Sequence, residues 1–115
     1  MNYKLIIAGS RGFNNYELLE STLIPYLNNI AEVVSGTAIG ADTLGEKFAY
    51  KHNIPIKRFP AQWNTYGRSA GYRRNVQMAE YATACIVFWD GKSKGTQHMI
   101  NIAKQHKLKL KIVLY

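Results

Sequence analysis

Apolar runs recur along the chain at "KLIIAG", "AEVVSG", "IPIKRF", "TACIVFW" and "LKIVLY", and most of the gaps between them carry segments of helical period. Alternation of this kind predicts a parallel sheet with crossover helices. The first helix is expected to begin at Asn14 or Asn15, where Asn14 and Glu17 are spaced as a capping box, with Leu18, Leu19 and Leu23 turned toward the sheet. Pro25 fits either a kink or the start of a last turn. The second helix follows "SGTAIG", carries Ala41, Leu44 and Phe48 at helical spacing, and stops before Pro55. A third, over residues 69–81, is expected to face Tyr72, Val76 and Ala79 inward. A fourth follows "DGKSKG", with Thr96 as its N-cap and Met99, Ile100 and Ala103 facing the core. Residues 60–69, "PAQWNTYGRS", have no period and read as a long loop, a kind of segment that often carries function.

Five strands and four helices then fill a single domain, residues 1–115, with no internal repeat or linker. The fold class is α/β: a Rossmann-like three-layer sandwich with a five-stranded parallel sheet in the order 3-2-1-4-5, right-handed crossovers and helices on both faces. In this order the topological switch lies between the first and fourth strands, where open α/β sheets bind ligands at the carboxyl ends of their strands. Three loops converge there: "GSRG", "SGTAIG" and "DGKSKGT".

Composition narrows the class of partner. No stretch of the 115 residues approaches the roughly 20 continuous apolar positions of a membrane helix. The opening "YKLIIAGS" has neither a secretory apolar region nor a cleavage site, so a cytoplasmic location without membrane contact is expected. Cys85, the sole cysteine, stands inside "TACIVFW", where a thiol packs as a small hydrophobe. His52, His98 and His106 make no metal spacing, and neither a metal nor a cofactor is expected. A net charge of +8 biases the chain toward anions. Arg68, Arg73 and Arg74 lie among Trp63, Tyr66 and Tyr72, a combination suited to an anion that carries a flat ring.

The loops supply the candidate chemistry. Gly9 and Gly12 flank Ser10 and Arg11, so that the backbone can approach a phosphate while Arg11 supplies a forked donor; Arg11 fits equally a salt bridge to an acid of the second helix. The spacing is neither a dinucleotide fingerprint nor a Walker A loop. In "DGKSKGT", Asp90, Gly91, Ser93, Gly95 and Thr96 lead into a helix N-terminus, whose free amides and dipole favour an anion. "SGTAIG" has the same logic, yet Asp42 and Glu46 follow four apart on one helical face and would repel a phosphate. They either stabilise the helix end or accept hydrogen bonds from ribose hydroxyls. No nucleophile elbow or Ser-His-Asp arrangement is present.

In order, "AGSRGF", "SGTAIGADTLGEKFA", "PAQWNTYGRSAGYRRNVQMAEYA" and "FWDGKSKGTQHMI" resemble the SLOG superfamily, which joins the Lonely Guy phosphoribohydrolases, the DNA-processing protein Smf and small Rossmann-like proteins of bacteria and phages. The resemblance is greatest to its short YspA-like members and covers nearly the whole chain. It implies a nucleotide-derived ligand held by Gly9, Ser10 and Arg11; by Gly36, Gly40, Ala41, Asp42 and Glu46; by Arg74 and Asn75; and by Gly95 and Thr96. Thr37, Asp90, Gly91 and Ser93 of the same loops are expected to join them. Trp63, in the long loop, is placed to stack a base. The Lonely Guy enzymes resemble this chain at Arg74, but the glutamate that ends their PGGxGTxxE loop falls here on Met99, and a thioether is neither acid nor base.

Three functions follow as expectations. The first is a binder of an ADP-ribose-like or cyclic nucleotide, acting as a sensor or as a phage sponge that sequesters a host immune signal. The second is a nucleotide N-glycosidase working through Glu46 and Arg74. The third is a single-stranded nucleic-acid binder, prompted by the charge and by Smf. A homo-oligomer is expected, by analogy with relatives that pair across helices.

Overall fold

A computed structural model describes residues 2–115. Strands β1 (Tyr3–Gly9), β2 (Ile30–Ser35), β3 (Ile56–Arg58), β4 (Ala84–Trp89) and β5 (Lys109–Leu114) form one all-parallel sheet in the order β3-β2-β1-β4-β5. The helices are α1 (Tyr16–Leu23), α2 (Ala41–Lys51), α3 (Trp63–Tyr66), α4 (Ala70–Tyr81) and α5 (Lys94–Gln105). This is the Rossmann-like architecture that the apolar runs predict.

Alternation along the strands builds two cores. Leu5, Ile7, Val33, Ile86 and Phe88 meet Leu19, Leu23, Ala41 and Phe48 of α1 and α2 on one face. Ile6, Ala8, Val34, Cys85 and Val87 meet Met78, Ala79, Met99, Ile100 and Ala103 of α4 and α5 on the other. The strands β1 and β4, covered on both faces, therefore read as unbroken apolar runs, as central parallel strands do.

Local details depart from the expected ones. The cap of α1 is Asn15 rather than Asn14: its Oδ1 accepts from the Leu18 amide at 3.0 Å. Pro25 starts a new element, standing in the first turn of a 3-10 helix over Ile24–Asn29. Residues 60–69 are not wholly irregular, since they contain α3 and a 3-10 turn at Gly67–Ser69. Tyr72 is exposed, and α4 buries Ala70, Asn75, Met78 and Ala79 instead. Thr96 lies inside α5, whose cap is Ser93.

Candidate functional site

The carboxyl ends of β1, β2 and β4 open into a cavity of about 850 Å³, with α4 and the 60–69 segment as its outer wall. Two contacts lock the first and fourth loops together. The Ser10 amide donates to the Phe88 carbonyl at 3.0 Å, and the Ser10 hydroxyl accepts from the Asp90 amide at 3.2 Å. The second loop nests against the first through Gly40, whose φ of +87° suits glycine and whose Cβ, if present, would lie 2.5 Å from the Ser10 carbonyl oxygen. Ala41 begins α2 and is fully buried in the core.

Asp42 reaches the cavity floor from the first turn of α2 and is buried. Its Oδ2 accepts from the Ala38 amide at 3.1 Å. Burial pushes its carboxyl up to about 6, with the Glu46 charge adding and the Ala38 amide and Arg74 opposing. Arg74 comes from α4 on the far side of Gly36. It donates from Nη1 to the Gly36 carbonyl and from Nε to Asn75 Oδ1 at 3.1 Å, leaving Nη2 without a protein partner among the described residues. Burial draws the Arg74 pKa down, and Arg11, another residue of the wall, draws it further in the same direction; Asp42 opposes both. The positive charge is thus held where an anion would stabilise it.

The fourth loop closes the cavity beside Arg74. Asp90 Oδ1 accepts from the amides of Lys92 and Ser93 at 2.9 and 2.8 Å, which closes the turn before α5 and lowers the Asp90 pKa. The Ser93 side chain caps no backbone amide of the helix; its hydroxyl oxygen accepts instead from Thr96 Oγ1 at 3.1 Å. The first-turn amides of Lys94, Gly95 and Thr96 have no protein acceptor among the described residues, and Ser93, Gly95 and Thr96 line the cavity. Free amides at a helix start bind anions. Trp63 stands at the mouth, half-exposed, its ring packed near Gly71 on the first turn of α4.

Of the residues singled out in the sequence, Gly9, Ser10, Arg11, Gly36, Thr37, Asp42, Trp63, Arg74, Asn75, Asp90, Ser93, Gly95 and Thr96 come together on this wall. Gly40, Ala41, Glu46 and Gly91 do not. Gly40 and Ala41 pack loops and core, and Gly91 (φ +82°) shapes the turn after β4. Glu46 is spent elsewhere: Ser35 Oγ donates to it at 2.6 Å, and Arg58 from Nε and Nη2, each at 3.0 Å. Arg11 has no acid partner among the described residues, so the alternative of a salt bridge to α2 is not realised. The wall also holds Ile39, Pro60, Ala61, Arg68, Gly71, Tyr72, Met78 and Met99. Arg68 and Tyr72 carried a signal, in the basic and aromatic cluster. Ile39 and Pro60 were marked only by the loops they belong to, since an apolar side chain in a loop has no chemistry of its own to single it out.

Fold and cavity together define a Rossmann-like α/β protein with an anion-suited crevice at its topological switch. Residues 3–66, more than half of the chain, match the model of the YspA, cpYpsA-related SLOG family, and the protein belongs to that family. It is similar to the Gene 61 protein of Mycobacterium phage D29, with 29% identity over 89% of each chain. In fold it is similar to DNA processing protein A (DprA) from Streptococcus pneumoniae: a TM-score of 0.78 at 16% identity, covering 96% of this chain and 50% of the other. The chain thus spans about half the length of DprA. No helix among the described residues is long and apolar enough to cross a membrane.

Proposed function

We propose that the protein binds a nucleotide-derived small molecule of the ADP-ribose or cyclic-nucleotide class in the switch-point cavity. The observation that carries this reading is the pairing of two ends in one cavity. The unpaired amides of α5 and the free Nη2 of Arg74 form an anion seat, and Trp63 offers a stacking face at the mouth. Asp42, between them on the floor, is an acceptor for sugar hydroxyls. A volume of about 850 Å³ lies within the range of small-molecule pockets. Membership of the SLOG family supports the ligand class, and the bound molecule would be either sensed or, as in a phage sponge, sequestered from a host. Isothermal titration calorimetry against mononucleotides, ADP-ribose and cyclic nucleotides tests the reading. Saturable heat with at least one is expected; silence from the whole panel overturns it.

A second reading, hydrolysis of a nucleotide N-glycosidic bond, is favoured by one feature: Asp42, rather than Glu46, is a cavity carboxyl held near 6. A group with that pKa can exchange protons near neutral pH. Met99, buried on the wall, occupies the place where the resembling enzymes carry their glutamate. Chromatography after incubation with nucleoside monophosphates and NAD decides it, since free base would appear and would vanish in Asp42→Asn. Binding of single-stranded nucleic acid is supported by the +8 charge and by the fold shared with DNA processing protein A. It predicts an affinity that falls steeply with salt.

A further inference from the structure

Asn75 is a buried amide on α4 whose three polar contacts are its own helix neighbour and two groups of α5. Its Oδ1 accepts from Arg74 Nε at 3.1 Å, and its Nδ2 lies 3.4 Å from the Gly95 carbonyl and 3.2 Å from His98 Nδ1. The first two contacts determine which way the amide points. A flipped amide would set its NH2 group against the Arg74 Nε–H and its oxygen against the Gly95 carbonyl, two donors and then two acceptors face to face. The remaining contact then constrains the imidazole, because Nδ2 donates and His98 Nδ1 has to accept. His98 is therefore neutral with its proton on Nε2. Burial acts in the same direction, drawing the His98 pKa down, and the ring lies against Tyr72 with centroids 4.4 Å apart.

We infer that His98 is a positioning residue for the anion seat: through the Asn75 amide it holds the Arg74 guanidinium, which lines the cavity, in its bonds to Gly36 and Asn75. The inference rests on the reading of that cavity as a ligand site. The Arg74 guanidinium is anchored by two bonds, to Gly36 and to Asn75. Asn75 is in turn held on its nitrogen side by Gly95 at a long distance and by His98 at a shorter one. Without the imidazole acceptor, the amide keeps only the long contact and turns more freely, and Arg74 loses the fixed acceptor for its Nε. The same amide touches the Gly95 carbonyl in the first turn of α5, so it couples the two components of the seat, the guanidinium and the helix start.

The test uses the full chain labelled with 15N, at pH 7.5. The expected His98 ring spectrum shows a bare Nδ1 and a protonated Nε2, and the Arg74 Nε–H gives a resolved, slowly exchanging signal. In His98→Phe, which keeps an aromatic ring against Tyr72, that signal should broaden or vanish, and affinity for ADP-ribose should fall about tenfold, the scale of one lost anchoring hydrogen bond. His98→Gln, which restores a neutral acceptor, should recover most of both. In an Arg74→Ala background His98→Phe should change affinity less than twofold, because the effect passes through Arg74. An Nδ1-protonated or charged His98, or an Arg74 signal untouched by His98→Phe, overturns the inference. The ring spectrum needs no ligand and no variant, so a charged or Nδ1-protonated His98 overturns the inference even if His98→Phe fails to fold. The Arg74 signal, read in His98→Gln as well as His98→Phe, needs no ligand and is separate from any failure of ADP-ribose to bind.

Discussion

The Asp42 carboxylate and the Arg74 guanidinium both close on Gly36, each 2.7 Å from the point that a Cβ at residue 36 would occupy. A buried acid and a half-buried base are thereby brought close without a direct ion pair between them, and a methyl group cannot enter. Gly36→Ala is expected to push Arg74 out of its bond with the residue 36 carbonyl. Stability should drop by about 1–3 kcal/mol, as overpacking does, and calorimetric affinity for ADP-ribose should fall at least about tenfold. Urea unfolding and titration check the two separately. A fully stable variant that binds normally would mean that the crevice is looser than described.

Asp42 makes stability depend on pH with an unusual sign. Its folded pKa is raised to about 6, above the ordinary value of 3.8, so between these values the native state holds more protons than the unfolded chain. Its contribution is therefore a penalty that is absent below pH 4, grows as the pH rises through 4 to 6, and is complete above 6. Two pKa units correspond to about 2–3 kcal/mol as an upper bound. Asp42→Asn keeps an acceptor for the Ala38 amide but cannot ionise. The difference in urea midpoint between the variant and the wild type should therefore favour the variant more at pH 7.5 than at pH 4. A difference that stays flat across that window would refute the assignment.

Trp63 is half-exposed at the cavity mouth, where a ligand ring would cover it. Binding of ADP-ribose should quench its fluorescence, and Trp63→Ala should weaken affinity by about 5- to 100-fold, the cost of one base stack. Trp89, half-sheltered and donating from Nε1 to the Ser93 carbonyl at 3.1 Å, should report much less. A quench that persists in Trp63→Phe would assign the signal to Trp89 instead.

Glu46 accepts from Ser35 and Arg58 and lies off the cavity wall. Glu46→Gln should leave ADP-ribose affinity within about twofold while lowering stability by about 1 kcal/mol, since one charge-assisted contact becomes neutral and the pair is partly solvated. A large loss of affinity at unchanged stability would return Glu46 to the ligand.

Cys85 is buried between the sheet and the α4–α5 layer, and burial pushes its thiol up to about 12. The folded protein should not react with a disulfide reagent such as DTNB over minutes at pH 8, and one thiol per chain should titrate at once in 6 M guanidinium. Prompt reaction of the native protein would show that this layer opens readily.

Much of the site was legible in the sequence because loop chemistry is local. Glycines next to short polar residues at strand ends marked all three loops, and Asp42, Arg74 and Thr96 reached the cavity from the elements that their motifs implied. Where the reading went astray, the cause was nonlocal. Tyr72 has helical spacing with Val76 and Ala79, yet α4 turns Asn75 and Met78 inward because the amide has partners waiting on α5. Glu46 has the right spacing from Asp42 to share its face, but Arg58 arrives from β3 and claims it.

The sequence by itself determined the element order, the parallel five-stranded sheet and the position of the switch-point loops, since strand periodicity, helix spacing and glycine placement are properties of neighbours along the chain. Tertiary structure alone decided that Asp42 and not Glu46 lines the cavity, and that an imidazole of α5 meets the α4 amide that accepts from Arg74. Those outcomes depend on which side chains from distant segments compete for the same buried donors and acceptors, and that competition exists only once the sheet has brought the segments together.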